Sequence, residues 1–571
     1  MSGSHWIVEG KVDERWPINT RGNVGEVMPE VIAPLQNDLI VAATDLGFRD
    51  ALARIGLLQH GDIASEDPVL LNVLGGYAYL NLSLLRLLGV RTPGSSPEAI
   101  DFTFVGEGDP PPYQPKPGDK NLRATLRLVG SALIALRQRE LPKVVADNTT
   151  AAASFEQARP ALDSFDADLL AFLRSTPDAF RPVFANHIYA SAMSAIPAGV
   201  LSDAAVAAGE PASVATLIGA VGDVRSAEYA RDLAQVAAHV RASEAVTRHF
   251  DQGTDDLMER LRSDPQAEAF TAAFDRFLAQ HGHRGPNDWD IAGRTWANTP
   301  SLTLAAIERL RVDLRSAGTN SSETAASARA ETIARIRNGV KPFQRKPFDL
   351  ALASIGSWTR AREGTRDRAV RLLQPPKQVF RELARRCGER GGIGDPATLA
   401  LLSLDELRQY LDGHDMAPTI ATRQALYQRF ADATPRFFIT SPATVPSLEE
   451  LEAERPAAAA KAMTGEVLTG TAGSGGTAVG PARIVLDPGE CADLEPGEIL
   501  VCPITDPGWT PLFLPAAAVV VETGALMSHA VIVSRELGLP CVVAVANATT
   551  RLTNGQRIEV NSTNGTVTVL P

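Results

Sequence analysis

The sequence predicts a multidomain chain in which a large, mainly α-helical region precedes a small C-terminal α/β domain. Three observations carry this. The 571 residues exceed one ordinary hydrophobic core, and an apolar share of 44% is that of a folded protein. From about residue 30 to 440, Ala-, Leu- and Arg-rich segments set apolar side chains three and four apart, the spacing of one helix face. After residue 465 the pattern changes to short Val/Ile runs separated by Gly, Asp and Asn, as strands and turns require.

The elements follow in order. SAEYARDLAQVAAHVRASEAVTRHF, QAEAFTAAFDRFLAQHG, SARAETIARIRNG and PKQVFRELARRCGERGG read as amphipathic helices, the last closed by the Gly pair expected past a helix end. GEGDPPPYQPKPGDKN, near residue 106, is a surface loop by its Pro and Gly content, and Ala204 to Val221 reads as an Ala-rich buried helix. A linker is expected over 441–464, where Pro442, Pro446 and Pro456 flank an acidic helical turn and an Ala run. The domain boundaries are therefore 1–440, 441–464 and 465–571. In the last of these, GPARIVL, GEILVCP, AAAVVVET, PCVVAVAN, QRIEV and GTVTVL are the strands, with one strong helix at about 529–538.

Composition narrows the function. A net charge of −12 argues against a general nucleic-acid binder, which needs a basic face to displace counterions. Between Arg329 and Arg371 basic residues outnumber acids, a stretch readable as a solvated helix face or as an anion-receiving surface. Cys387, Cys491, Cys502 and Cys541 form no CxxC pair, so neither a disulfide framework nor a structural zinc site is expected, and a cytoplasmic location fits. The N-terminal residues lack an apolar signal core. No run approaches the roughly 20 apolar residues that span a bilayer.

One histidine stands out chemically. His529 lies in ETGALMSHAVIVSRELGLPCVV, after Gly524, Ala525 and Ser528, where a loop breaks into an apolar helix. Neutral imidazole is nucleophilic near pH 7, and the phosphoramidate it forms stays reactive, so a carrier histidine is expected to be exposed. A helix beginning there would turn backbone N–H groups and its positive dipole end toward phosphoryl oxygens. Gly524 would let the backbone approach, and Ser528 could donate a hydrogen bond.

This run resembles the phosphohistidine, swivelling domain of the PEP-utilising enzymes, the group that includes PEP synthase, pyruvate phosphate dikinase and rifampicin phosphotransferase. The Glu522-Thr523-Gly524 lead, the Ser528-His529 pair, the SRELGLP helix end and the strand after Pro540 occur in the family's order. ILVCPITDPGWTPLF resembles the family's segment through Thr505, Asp506, Pro507, Gly508, Trp509 and Thr510, and TNGQRIEVNSTNGTVTVL its closing strands. The resemblance implies His529 as phosphocarrier, with Thr523, Gly524, Ser528 and Asp506 around the phosphoryl group. Arg535 could hold phosphate or dock the domain, and Glu536 reads as structural.

The helical region resembles the acceptor domain of rifampicin phosphotransferase and its relatives through WPINTRGNVGEVMPEVIAPL, GAVGDVRSAE, HGHRGPNDWDIAGRTWANTP, ASIGSWTRAREGTRDRAV and DPATLALLSLDELRQYL. Three groups are candidates. His281, Gly282, His283, Arg284 and Gly285, followed by Asn287, Asp288 and Asp290, suit acceptor binding and proton removal, with a buried hydrogen-bond knot as the other reading. Their His-x-His spacing permits a metal, but no third ligand is apparent, and no metal is expected. Arg362, Glu363 and Arg366 share a helix face, where arginine could clamp a phosphoryl group and the carboxylate position or deprotonate a hydroxyl. Relatives carry Arg-Glu followed at this interval by a basic residue, often Lys, so Arg366 departs from the pattern. Arg21, Asn23 and Glu26 form a polar loop that serves a turn or the pocket.

No P-loop, GxGxxG or kinase motif occurs in these residues. The resemblance then implies a separate ATP-grasp partner that uses ATP and Mg2+, with no cofactor tightly bound here, and transfer to an organic alcohol or phenol, as in phenylphosphate synthase. A phosphorylation-driven ligase component and a non-catalytic phosphorelay protein are the alternatives. Neither nucleic acid nor membrane is an expected partner.

Overall fold

The structure is a computed structural model and describes residues 8–571 except 60, 64–66, 106–108, 211–212, 219–224, 254–255, 313–320, 455–459, 489–493 and 525–527. Cys491, Ala525, parts of the 106–121 loop and of the 441–464 linker, and the start of GAVGDVRSAE lie outside the described residues, as does the Glu536 side chain. The described residues pack as two compact units. One comprises Met1–Val200, Trp289–Gly293 and Lys346–Ala457; the other comprises Leu201–Asp288, Arg294–Arg345 and Ala458–Pro571. Packing thus groups part of the helical region with the C-terminal α/β sheet.

The first unit is helical around a small antiparallel sheet that the sequence reading passes over. Its strands are β1 (Asn19–Thr20), β2 (Leu71–Leu74), β3 (Tyr77–Asn81) and β4 (Phe438–Ile439), in the order β2-β3-β1-β4. β2 and β3 form a hairpin over Gly75 and Gly76, both at positive φ (55° and 80°), the backbone a tight hairpin turn needs. Asn81 then caps the helix Leu82–Arg91 by accepting from the Leu84 N–H. Two buried ion pairs, Arg86 with Asp101 and Arg91 with Asp62, each at 2.6 Å, tie this region together.

One described helix, Asp166–Ala207, is long and apolar enough to cross a membrane. Its Leu169, Leu173, Phe180, Val183, Tyr189 and Met193 side chains are instead core residues of the fold. This helix also corrects the expected element at 204–221: it stops at Ala207, Gly209 follows at φ 78°, and Val214–Ile218 is a separate short helix. The predicted helix from Ser226 to Phe250 is likewise two, Arg225–Ala242 and Glu244–Asp251, because the Ser243 side chain caps the second by accepting from Val246 N–H.

In the second unit, helices Arg225–Ala242, Glu268–His281 and Pro300–Val312 bury Phe250, Phe270, Phe274, Phe277, Trp296 and Ile307. The C-terminal residues form an eight-stranded sheet of β5 (Val467–Thr469), β6 (Thr471–Ala472), β7 (Thr477–Ile484), β8 (Ile499–Cys502), β9 (Ala518–Val521), β10 (Cys541–Val543), β11 (Arg557–Asn561) and β12 (Thr566–Val569). Its order is β5-β12-β11-β7-β8-β9-β10-β6, and β7 through β10 run parallel. Leu500, Cys502, Val519, Val521 and Val543 enter one core, while Ile499, Val501, Ala518, Val520 and Val542 enter the other. Burial on both faces is why these strands read as unbroken apolar runs. The predicted helix is His529–Leu537, ended by Gly538 at φ 71°.

Candidate active site

His529 is the first residue of its helix, with Ser528 in extended conformation at the cap. Backbone N–H groups of the first turn have no helical acceptor, so the ring stands where an anion would be stabilised. Both ring nitrogens face hydroxyls: Nδ1 is 3.2 Å from Thr505 Oγ1 and Nε2 is 3.3 Å from Thr510 Oγ1. Phe513 meets the imidazole edge-on, with centroids 5.8 Å apart. The expectation of an exposed carrier is corrected here, since His529 is only 8% exposed. Its helix packs against Arg225–Ala242 and Ser321–Gly339 of the same unit.

The supporting residues divide by role. Ser528 Oγ is buried and has no hydrogen-bond partner among the described residues, so its hydroxyl is available to a bound oxyanion. Gly524 is required by packing, because a Cβ there would lie 2.9 Å from Val543 Cβ. Thr523 N–H donates to the Pro503 carbonyl, and Glu522 accepts from Thr549, so these fix the loop below the helix. Arg535 donates through Nε to the Gly473 carbonyl, at 2.9 Å, which docks the helix on the strand β6 end.

The segment carrying Thr505 and Thr510 has a second face. Asp506 accepts from the Asn287 N–H through Oδ2 (2.8 Å) and from the Gly508 N–H through Oδ1 (2.7 Å). A Cβ on Gly508 would lie 2.6 Å from Pro286 N, so the TDPGW turn lies directly on the 285–287 backbone. Burial, then the nearby Asp288 carboxylate, pushes the Asp506 pKa up to about 7. Arg284 pairs with Asp288 at 2.7 Å, both buried, and its guanidinium lies 5.2 Å from the Tyr229 ring centroid. The structure therefore joins Asp506 to the Arg284–Asp288 loop, two parts of the sequence that spacing alone leaves apart.

His281 is 1% exposed and bonds Asp232 through Nε2 at 2.7 Å, against the Tyr229 and Phe277 rings. This is the hydrogen-bond knot rather than an open ligand face. Glu228, Asp232 and His281 present oxygen and nitrogen atoms within 4.8 Å of one another, a group that joins His281 to two carboxylates of a neighbouring helix rather than to His283, and the three could hold a divalent cation. The direct His281–Asp232 bond and the Gln280 amide on Glu228 also satisfy the group without one. His283 is buried as well. Asp290 belongs to the first unit, where burial raises its pKa and Lys377 opposes that shift.

The first unit holds the remaining candidates. Arg21 donates to the carbonyls of Met28, Ala78 and Pro29 and packs on Tyr77 and Tyr79, so its guanidinium is engaged in structure. Asn23 adopts φ 65° at the next helix start. Arg362, Glu363 and Arg366 lie on the helix Pro342–Leu372, with Glu363 buried and 3.9 Å from Arg362. Facing them is His187, which the sequence reading omits because an isolated histidine in a long helix carries no pattern.

Residues 494–565 match the family described as PEP-utilising enzyme, mobile domain, and residues 179–363 match the rifampicin phosphotransferase fourth domain. These two segments are thus similar to domains of PEP-utilising phosphotransferases. It is similar to an uncharacterized protein of Mycobacterium tuberculosis, 33% identical over 325 residues, which are 55% of this chain and 34% of that one. It is 26% identical over 603 residues to the prodigiosin synthesizing transferase of Serratia marcescens, covering 99% of this chain and 64% of the relative. The rifampicin phosphotransferase of Bacillus subtilis is 29% identical over 370 residues, 63% of this chain and 42% of that enzyme. The chain thus spans between a third and two thirds of the length of these relatives.

Proposed function

We propose that this chain is the carrier and acceptor component of a phosphohistidine-dependent phosphotransferase. The observation that carries the reading is His529 at a helix start inside a mobile-domain match, with two threonine hydroxyls on its ring nitrogens. A separate ATP-grasp partner, using ATP and Mg2+, charges His529. The 465–571 domain then moves on the 441–464 linker, and tethering keeps the phosphoryl group at high effective concentration near the acceptor region. There an organic hydroxyl, an alcohol or phenol, takes it, with Arg362 and Arg366 holding the phosphoryl oxygens and Glu363 orienting the hydroxyl. Free, buried thiols at Cys387, Cys502 and Cys541 fit a cytoplasmic setting.

Charging requires His529 to exchange one threonine contact for the phosphoryl donor. The helix N-terminus and the Ser528 hydroxyl then face the added negative charge. The test is to incubate the chain and an ATP-grasp partner with labelled ATP. Acid-labile, base-stable label should appear on the natural chain and be absent from His529→Ala; label persisting in the variant sinks the assignment. A second reading is phosphorylation-driven condensation, favoured by the relative named as a prodigiosin synthesizing transferase. Product analysis separates them: a stable phosphate ester supports transfer, and free phosphate with a condensed product supports ligation.

A further inference from the structure

His187 lies on the helix Asp166–Ala207, facing the Arg362–Arg366 stretch of the helix Pro342–Leu372 within one unit. Its Nδ1 is 3.4 Å from Thr365 Oγ1. That hydroxyl donates to the Ala361 carbonyl at 2.8 Å, so its oxygen is left to accept. The Arg362 backbone lies close enough to act on the same ring. A proton on Nδ1, donated to the Thr365 oxygen, leaves Nε2 as the basic nitrogen, and this is the tautomer the inference below requires. Phe184 packs edge-on, with centroids 6.0 Å apart, and the residue keeps part of its surface exposed.

The charges acting on this ring are the guanidiniums of Arg366 and Arg362, and they, after desolvation, drive its pKa down to about 3. His187 is therefore neutral at working pH. A phosphoryl group held by the same two arginines would reverse the electrostatics, since its negative charge offsets the guanidinium charge and favours imidazolium. We infer that His187 is the proton acceptor for the hydroxyl substrate, switched on by the arrival of the phosphoryl group. Resting on the acceptor-site reading above, this deepens it by one residue. In the step, the phosphorus–nitrogen bond to His529 breaks, with its electron pair returning to that ring. The substrate oxygen forms the phosphorus–oxygen bond, and its proton passes to His187 Nε2. The charged groups that act on His187 are Arg366 and Arg362, and Glu363 is paired with Arg362 at 3.9 Å.

The experiment follows the imidazole nitrogens of 15N-histidine-labelled full-length chain by NMR, assigning His187 from the signal missing in His187→Gln, with inorganic phosphate as the probe. Without phosphate His187 should show the Nδ1–H tautomer and stay neutral down to pH 5. Saturating phosphate should raise its titration midpoint by at least one pH unit, a tenfold gain in proton affinity. A midpoint that phosphate binding leaves in place overturns the inference. Phosphate affinity unchanged in Arg362→Ala and Arg366→Ala would instead overturn the acceptor-site reading itself. In turnover, His187→Gln should lower kcat at least tenfold, keep KM within about twofold and retain the His529 label; an unchanged kcat also overturns the inference.

Discussion

The hydrogen-bond partners of His529 are hydroxyls, which donate or accept as required, rather than carboxylates that would fix its charge, and this suits the proposed carrier role. Asp506 shows the opposite case. Its pKa, about 7 in the folded chain, lies above the ordinary value near 4, so the folded form binds the proton more tightly. The stability this gives is complete below about pH 4 and is lost as pH rises through about 7. Thermal unfolding should therefore show a fall in Tm between pH 5 and pH 8 that is smaller in Asp506→Asn. An identical slope in the two proteins would remove Asp506 as the cause. Neither the Thr505 and Thr510 contacts nor the Asp506 shift is written in local spacing, because each arises where distant segments pack. His529 itself was legible, since its flanking small residues and following helix are contiguous.

At the scale of elements, the sequence located the six principal strands of the C-terminal sheet and its helix, because each combines an apolar run with a Gly, Asp or Asn stop. It missed β5 and β6, which are short, and the β2–β3 hairpin, although LNVLGGYAYLN carries a two-glycine turn signal. The helix over 226–250 was overextended because Ser243 breaks it through a side-chain cap, which outweighs an uninterrupted apolar pattern. The contact between the TDPGW turn and the 285–287 loop depends on the absence of a side chain at Gly508. Gly508→Ala should force the two backbones apart and destabilise the second unit by about 1–3 kcal/mol. Denaturant unfolding checks the loss, and an unchanged midpoint would show that the turn relaxes freely.

Across the whole molecule, carrier and acceptor functions make separable predictions. Arg362→Ala and Arg366→Ala should each leave phosphorylation of His529 intact while lowering acceptor turnover at least about a hundredfold, the order of loss when a phosphoryl-clamping charge is removed. Label and product are measured on the same samples, and parallel loss of both would show that the arginines serve folding or charging instead. By itself the sequence determined that a large helical region precedes a C-terminal strand-rich segment, and where the strands and the helix at His529 lie in that segment, because periodicity and a contiguous motif are local properties of a chain. Only the tertiary structure decided that His529 is enclosed between Thr505 and Thr510, that Asp506 bonds the 287 backbone, that His281 belongs to a knot with Asp232, and that His187 faces the arginine pair. Those facts depend on which distant side chains share a small volume and how much water is left there, and burial and neighbouring charge set their chemistry.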